Sequence, residues 1–221
     1  NTIIGGNAAD ALTTGGDNVA LGYNALSTED TGSRNTALGR GTLQNLNYNG
    51  NGYNTAVGYE AGNDVTTGIQ NTLIGALTGD ALTTGQYNVA VGTYALTNED
   101  TGGRATAIGF GALANQNYDG DSYNVAVGFE TGNDITTGIY NTLVGSQAGD
   151  ALTTGSSNVA IGLNALGAED TGSDSVAIGR NTLLVQNYDG SSYNIAIGRD
   201  AGKEVTTGVQ NTIIGGLAGD A

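Results

Sequence analysis

An asparagine-led motif, Asn-(Thr/Val/Ile)-(Ala/Leu/Ile)-(Ile/Leu/Val)-Gly, recurs along the whole chain at steps of 17, 17, 19 and 17 residues, and the four steps repeat as a 70-residue unit. Nearly identical stretches begin at Asn1, Asn71, Asn141 and Asn211. Self-similarity at this spacing marks a solenoid or array, because each repeat is too small to bury a core alone and must stack on its neighbours. The chain reads as one continuous array with units 1–70, 71–140, 141–210 and a partial unit 211–221. It starts and stops inside the motif, as a segment of a longer repetitive protein would.

Aligned on the motif start as position 1, the coils obey sharp rules. Position 1 is Asn at 1, 18, 35, 54, 71, 88, 124, 141, 158, 194 and 211, and is replaced at Ala105 and Ser175. Position 2 is always β-branched, position 5 always Gly, and position 8 always Ala or Thr. β-Branched residues favour extended backbone, so positions 2–4 read as a short strand. Gly at position 5 suits a sharp bend, and positions 7–9 read as a second short strand with the small residue inward. A coil of 17 residues has no room for a helix beside two strands, and the apolar spacing lacks a 3.6-residue period. The fold class is therefore all-β: a parallel β-solenoid, or β-roll, of 17–19-residue coils with a four-coil super-repeat. Stacked coils would place Asn1, Asn18, Asn35, Asn54, Asn71, Asn88, Asn124, Asn141, Asn158, Asn194 and Asn211 in a ladder of side-chain amides.

Successive strand residues face opposite sides, and here both sides are apolar. Position 3, occupied by Ala20, Ala37, Ala56, Leu73, Ala90, Ala107, Ala126 and Leu143, reads as a candidate assembly face. Either another chain covers it, or further strands of a wider coil do. Charged residues avoid positions 1–5 in every coil, so acidic turns such as Glu29-Asp30, Glu99-Asp100 and Glu169-Asp170 read as solvent-facing.

The segments Asn54–Tyr59 (Asn-Thr-Ala-Val-Gly-Tyr), Ser175–Arg180 (Ser-Val-Ala-Ile-Gly-Arg) and Asn-Val-Ala-Val-Gly at 88–92 and 124–128 resemble the head repeats of trimeric autotransporter adhesins and similar shaft repeats of phage tail fibres. The resemblance covers the entire chain, although its coils are longer than those typical of the head repeats. It implies a β-roll, association as a homotrimer or filament, an adhesive role toward a host surface, matrix or glycan, and a place outside the cell, on the cell surface or on a virion tail fibre.

Composition narrows the chemistry. The net charge is −15, with 21 acidic and 6 basic residues, which disfavours nucleic acid as a partner. The chain has no Cys and no His, removing thiolate ligands and the commonest general base. No apolar run approaches the roughly 20 residues that span a bilayer. A structural, non-catalytic role is the expectation. The 19-residue coils carry the most distinctive loops, with Tyr48 and Tyr53, Tyr118 and Tyr123, and Tyr188 and Tyr193 in each. These Tyr form either solvated turns or a ridge that reads carbohydrate or protein. Asn/Asp alternation around a Gly makes the loops either plain turns or oxygen-ligand Ca²⁺ loops, with Asp119, Asp121 and Asp189 as ligands; no other cofactor is implied. Thr-Thr pairs such as Thr13-Thr14 and Thr66-Thr67 add a minor alternative, an ice-binding solenoid, but Asp-Thr and Asn-Tyr interrupt the row.

Overall fold

A computed structural model describes residues Asn1–Asp220. They group into two units: Asn1–Ala105 with Asn117–Asp121, and Thr106–Gln116 with the residues from Ser122 on. Each unit is a parallel β-solenoid with one three-residue strand per coil. The first holds β1 (Thr2–Ile4), β2 (Val19–Leu21), β3 (Thr36–Leu38), β4 (Thr55–Val57), β5 (Thr72–Ile74) and β6 (Val89–Val91). The second holds β7 (Thr106–Ile108), β8 (Val125–Val127), β9 (Thr142–Val144), β10 (Val159–Ile161), β11 (Val176–Ile178), β12 (Ile195–Ile197) and β13 (Thr212–Ile214). Within each unit every strand pairs in parallel with the next, and the register matches like positions: Ala56 lies beside Leu73, and Ala126 beside Leu143.

The buried Asn of position 1 does two things at once. In the 17-residue coils its Nδ2 donates to the carbonyl of the Gly that closes the same coil, as from Asn18 to Gly32 (2.8 Å) and from Asn141 to Gly155 (2.9 Å), whereas Asn35, opening a 19-residue coil, donates to the carbonyl of Ser33 in the coil before (3.3 Å). Its Oδ1 accepts the backbone N–H that opens the next coil, as from Asn35 (2.9 Å) and from Asn158 (3.0 Å). The expected amide-to-amide ladder is thus mostly a ladder of side-chain oxygen to backbone nitrogen, because the next residue's N–H lies nearer than its side chain. Ala105 and Ser175 still donate through their backbones, to Asn88 and Asn158.

Position 3 is the interior of the coil and not an outward assembly face. Ala20, Ala37, Ala56, Leu73, Ala90, Ala107, Ala126 and Leu143 are all fully buried, while positions 2 and 4 look outward, half-buried or exposed. The interior is thin, and this sets residue sizes. A Cβ added at Gly62 or Gly79 would come within 2.6 and 2.9 Å of the Leu73 side chain, and one at Gly132 within 2.7 Å of Leu143. Leu at position 3 therefore fills the space left where position 9 is Gly. Where Ala stands at position 3 in the coils beginning at 18, 35, 88 and 105, position 9 is the buried Leu26, Leu43, Leu96 or Leu113; Ala56 and Ala126 instead share their coils with Gly62 and Gly132, which make room for Leu73 and Leu143 of the next coil. Position 5 is Gly for a related reason: at φ 139° and 145°, a Cβ on Gly5 or Gly128 would sit 2.5 or 2.6 Å from the carbonyl oxygen of the next coil's Gly.

The expected second strand at positions 7–9 is a turn. Positions 7 and 9 take left-handed backbone, as at Asn24 (φ 56°), Leu26 (φ 55°) and Leu43 (φ 49°). Two such residues bend the chain too sharply for extended structure, yet the coils still bond there, with Leu26 N donating to Thr42 O at 3.0 Å. Position 8 points inward as expected. Where it is Thr, the buried hydroxyl bonds a position-5 carbonyl, as from Thr78 to Gly92 (2.6 Å).

Leu73→Ala is expected to cost about 2–5 kcal/mol, the usual range for an emptied Leu site. Gly62→Leu added to Leu73→Ala should recover part of the loss, since that pairing of sizes already exists at Ala37 and Leu43. Urea unfolding of the two variants checks both.

Candidate functional site

Two exposed columns of side chains run beside the closing turn of each coil. One contains Thr14, Thr31, Tyr48, Thr84, Thr101 and Tyr118 in the first unit. The other holds the residue just before each motif start: Asp17, Arg34, Tyr53, Gln70, Tyr87 and Arg104 in the first unit, Tyr123, Tyr140, Ser157, Asp174, Tyr193 and Gln210 in the second. All twelve of the latter have φ between 51° and 63°. The paired Tyr of each long loop thus fall into different columns. Tyr53, Tyr123 and Tyr193 stand exposed in the second, Tyr48 and Tyr118 are half-buried in the first, and Tyr188, at the equivalent position in the second unit, is 37% exposed.

Neighbours in the second column touch from coil to coil. Arg34 Nη1 donates to the Tyr53 hydroxyl at 2.6 Å, and Asp17 lies 3.7 Å from the same guanidinium. The Arg104 guanidinium lies 4.7 Å from the Tyr87 ring centroid. In the second unit, Tyr123 and Tyr140 stack with centroids 5.6 Å apart. Such cation–π and stacking contacts contribute about 0.5–1.5 kcal/mol each and hold the side chains in place. In the first unit these columns border a surface hollow of about 240 Å³, lined by Thr84, Gln86, Tyr87, Thr101, Gly103, Arg104, Gly120 and Asp121.

The candidate Ca²⁺ ligands make other bonds. Asp119 accepts from the Thr101 hydroxyl (2.9 Å), Asp189 from the Thr171 hydroxyl (3.0 Å), and Asp121 from Arg104 Nε (2.7 Å). Among the described residues no group of three or more acidic side chains is placed to hold a metal ion. In the Thr-Thr pairs the first hydroxyl is engaged by the fold, as from Thr13 to the Asp30 carbonyl (2.9 Å).

Sequence reasoning misplaced one set of charges. Glu29, Glu99 and Glu169 are fully buried, not solvent-facing. Each occupies position 12, an apolar site in most other coils, and is surrounded by backbone donors. Glu29 accepts from the N–H groups of Gly32 (2.6 Å), Thr31 (3.2 Å) and Tyr48 (3.1 Å). Glu169 accepts from Gly172 and Tyr188 N–H groups and from Gln186 Nε2. The carboxylate stands where the two-residue insertion of the 19-residue coil begins, and it satisfies the N–H that this loop turns inward. The available signal was positional: Glu sits in the coil before each long one, aligned with Leu12 and Val65.

No known protein family, curated protein or solved structure matches this chain. No helix among the described residues is long and apolar enough to cross a membrane.

Two outcomes are expected. Glu29→Ala leaves the buried Gly32 N–H and the part-buried N–H groups of Thr31 and Tyr48 without their acceptor and should cost about 1–3 kcal/mol, the desolvation cost of an orphaned buried donor, measured by chemical denaturation. Burial pushes the carboxyls of Asp80 and Asp150 above the ordinary Asp range; repulsion from Asp64 and Glu60, and from Asp134 and Glu130, adds to it, while backbone hydrogen bonds, and for Asp80 the Thr97 hydroxyl, oppose it. A raised carboxyl pKa destabilises the folded state while both states are ionised. The contribution of these two groups therefore improves as pH falls through their folded pKa toward the unfolded value near 3.9. Asp80→Asn and Asp150→Asn should raise the melting temperature at pH 7, with the gain vanishing below about pH 4.

Proposed function

We propose that this chain is a structural and adhesive segment of an extracellular fibre, and that copies of it associate through the outer face of the strands. The observation that carries this reading is the character of that face. It is built of positions 2 and 4, where Leu21, Leu38, Ile74, Ile108, Ile161 and Ile197 are each 37–38% exposed. No charged residue occurs at positions 1–5 in any coil. On a chain of net charge −15, like copies repel one another, and this uncharged strip is where they can approach and remove apolar surface from water. Position 6 borders the strip with Tyr23, Tyr59 and the stacked Phe110 and Phe129 (5.6 Å), and also carries its nearest charges, Arg40, Arg180 and Arg199.

A second copy of the chain is the occupant that fits. The face is periodic, so it complements another face with the same period, in a closed homotrimer or an open filament. The resemblance to trimeric autotransporter head repeats and phage tail-fibre shafts supports the same reading, and with it a location on a cell surface or virion.

Ile74→Asp combined with Val91→Asp places two charges on this face and none in the interior. Sedimentation equilibrium should show the wild-type chain as an oligomer and the double variant as a monomer with unchanged far-UV circular dichroism. A wild-type chain that stays monomeric at the highest soluble concentration would contradict the reading.

A further inference from the structure

The geometry points to the hollow around Tyr87, Arg104 and Asp121 as a binding subsite for one neutral sugar ring of a glycan, which gives the adhesive part of the proposed function a ligand class and rests on that reading for its biological setting.

The backbone of the column supplies the first reason. A left-handed φ strains any residue with a Cβ, and glycine relieves that strain. Yet none of the twelve residues in the column is Gly. The same backbone turns Leu26 and Leu43 into the interior; in this column it holds Tyr53, Tyr87 and Tyr123 at the surface, so it fixes where these side chains are displayed.

The hollow supplies the second. Arg104 lies over the Tyr87 ring and donates to Asp121 Oδ2 at 2.7 Å, so three planar groups are locked together. Thr84, Thr101 and Gln86 add hydroxyls and an amide on the same rim. Donors and acceptors alternate over a short distance beside an aromatic ring, the pattern that vicinal sugar hydroxyls and an apolar sugar face can match together. An anion would meet Asp121 and the net charge of −15. A cation would meet Arg104. An apolar ligand would find a polar lining. The volume of about 240 Å³ lies below the roughly 300 Å³ at which pockets enclose drug-sized ligands, so it suits a single ring with the rest of the glycan in solvent.

The repeat supplies the third. The same backbone recurs in the other two copies with Thr at 14, 31, 154 and 171, while Gln86, Tyr87 and Asp121 are replaced in both and Arg104 only in the third. Gln86, Tyr87, Arg104 and Asp121 correspond to Gly16, Asp17, Arg34 and Asn51 in the first copy, and to Ser156, Ser157, Asp174 and Ser191 in the third. The fold therefore already carries a version of the site without its aromatic ring, its amide and its ion pair.

That version defines the test. The intact chain and the variant Gln86→Ser, Tyr87→Ser, Arg104→Asp, Asp121→Ser are applied to a printed array of neutral hexose and N-acetylhexosamine oligosaccharides together with sialylated and sulfated ones. Hits are titrated by saturation-transfer NMR, and mass is followed by sedimentation. The expected result is binding to neutral oligosaccharides, weakened about tenfold or more in the variant, as for loss of an aromatic or Arg anchor, with mass unchanged. Binding to no neutral glycan, binding confined to anionic glycans, or equal binding by the variant would overturn the proposal. Failure of the fibre reading shows instead in the sedimentation of the wild-type chain, whatever the array reports.

Discussion

The backbone N–H that opens each coil is buried, and it must find an acceptor that water cannot supply. A buried donor left without one costs about 1–3 kcal/mol, and a chain of stacked coils meets that cost at every turn. The Asn of the preceding coil meets it with Oδ1 while Nδ2 ties down the carbonyl that closes its own coil. In the 17-residue coils one side chain thus fixes both the length of the coil and the register of the stack. Strand pairing, the close approach of position-5 glycines and the alignment of interior side chains follow from that register. Where Asn is absent, other groups take over the role. In the third copy, Asn194 N–H bonds Ser192 Oγ (3.3 Å), which pairs with Ser175 Oγ (2.6 Å) and joins Gln186 in a buried network. Among the described residues no buried side-chain nitrogen or oxygen is left without a partner.

A thin interior is the second consequence. With Ala at most interior strand positions, a coil can bury few large side chains, so the apolar residues of positions 2 and 4 remain on the outside. An ordinary globular domain would fold a second layer over them. Here the face stays open, periodic and uncharged, while the carboxylates collect elsewhere. The division within a coil is therefore plain: one side holds the stack together, one side presents apolar side chains outward, and the closing turn displays side chains that differ from copy to copy.

Much of this was legible in the residues. The coil length, the strand at positions 2–4, the Gly at position 5 and the inward small residue at position 8 all came from the repeat. The second strand did not, because Leu26 and Leu43 look like strand residues and nothing in their identity announces a left-handed φ. The direction of position 3 was hidden because both strand faces are apolar, so alternation carried no sign; only the size exchange between Leu73 and Gly62 reveals that position 3 is inside. Glu29 read as a surface turn because its acceptors and donors are backbone atoms, which a sequence does not display. The long loops were legible as distinctive, but not their contacts: Arg34 of the preceding coil meets Tyr53, and Arg104 of the preceding coil meets Asp121 while lying over Tyr87 of the coil before that.

The opening N–H requires a buried acceptor, whichever side chain supplies it. In the first copy Asn35 Oδ1 serves Asn54 N–H at 3.2 Å, and a Cβ at Gly52 would collide with the Asn35 side chain. The most direct measurement is a double-mutant cycle by chemical denaturation on Asn35→Ser and Gly52→Ser, in a background carrying Leu46→Gln so that the third copy's arrangement of Ser175, Ser192 and Gln186 is reproduced. The account predicts that each single change destabilises the chain and that the pair recovers stability, with a favourable coupling of about 1–3 kcal/mol. Strictly additive losses, or an Asn35→Ser variant as stable as its parent, would contradict it.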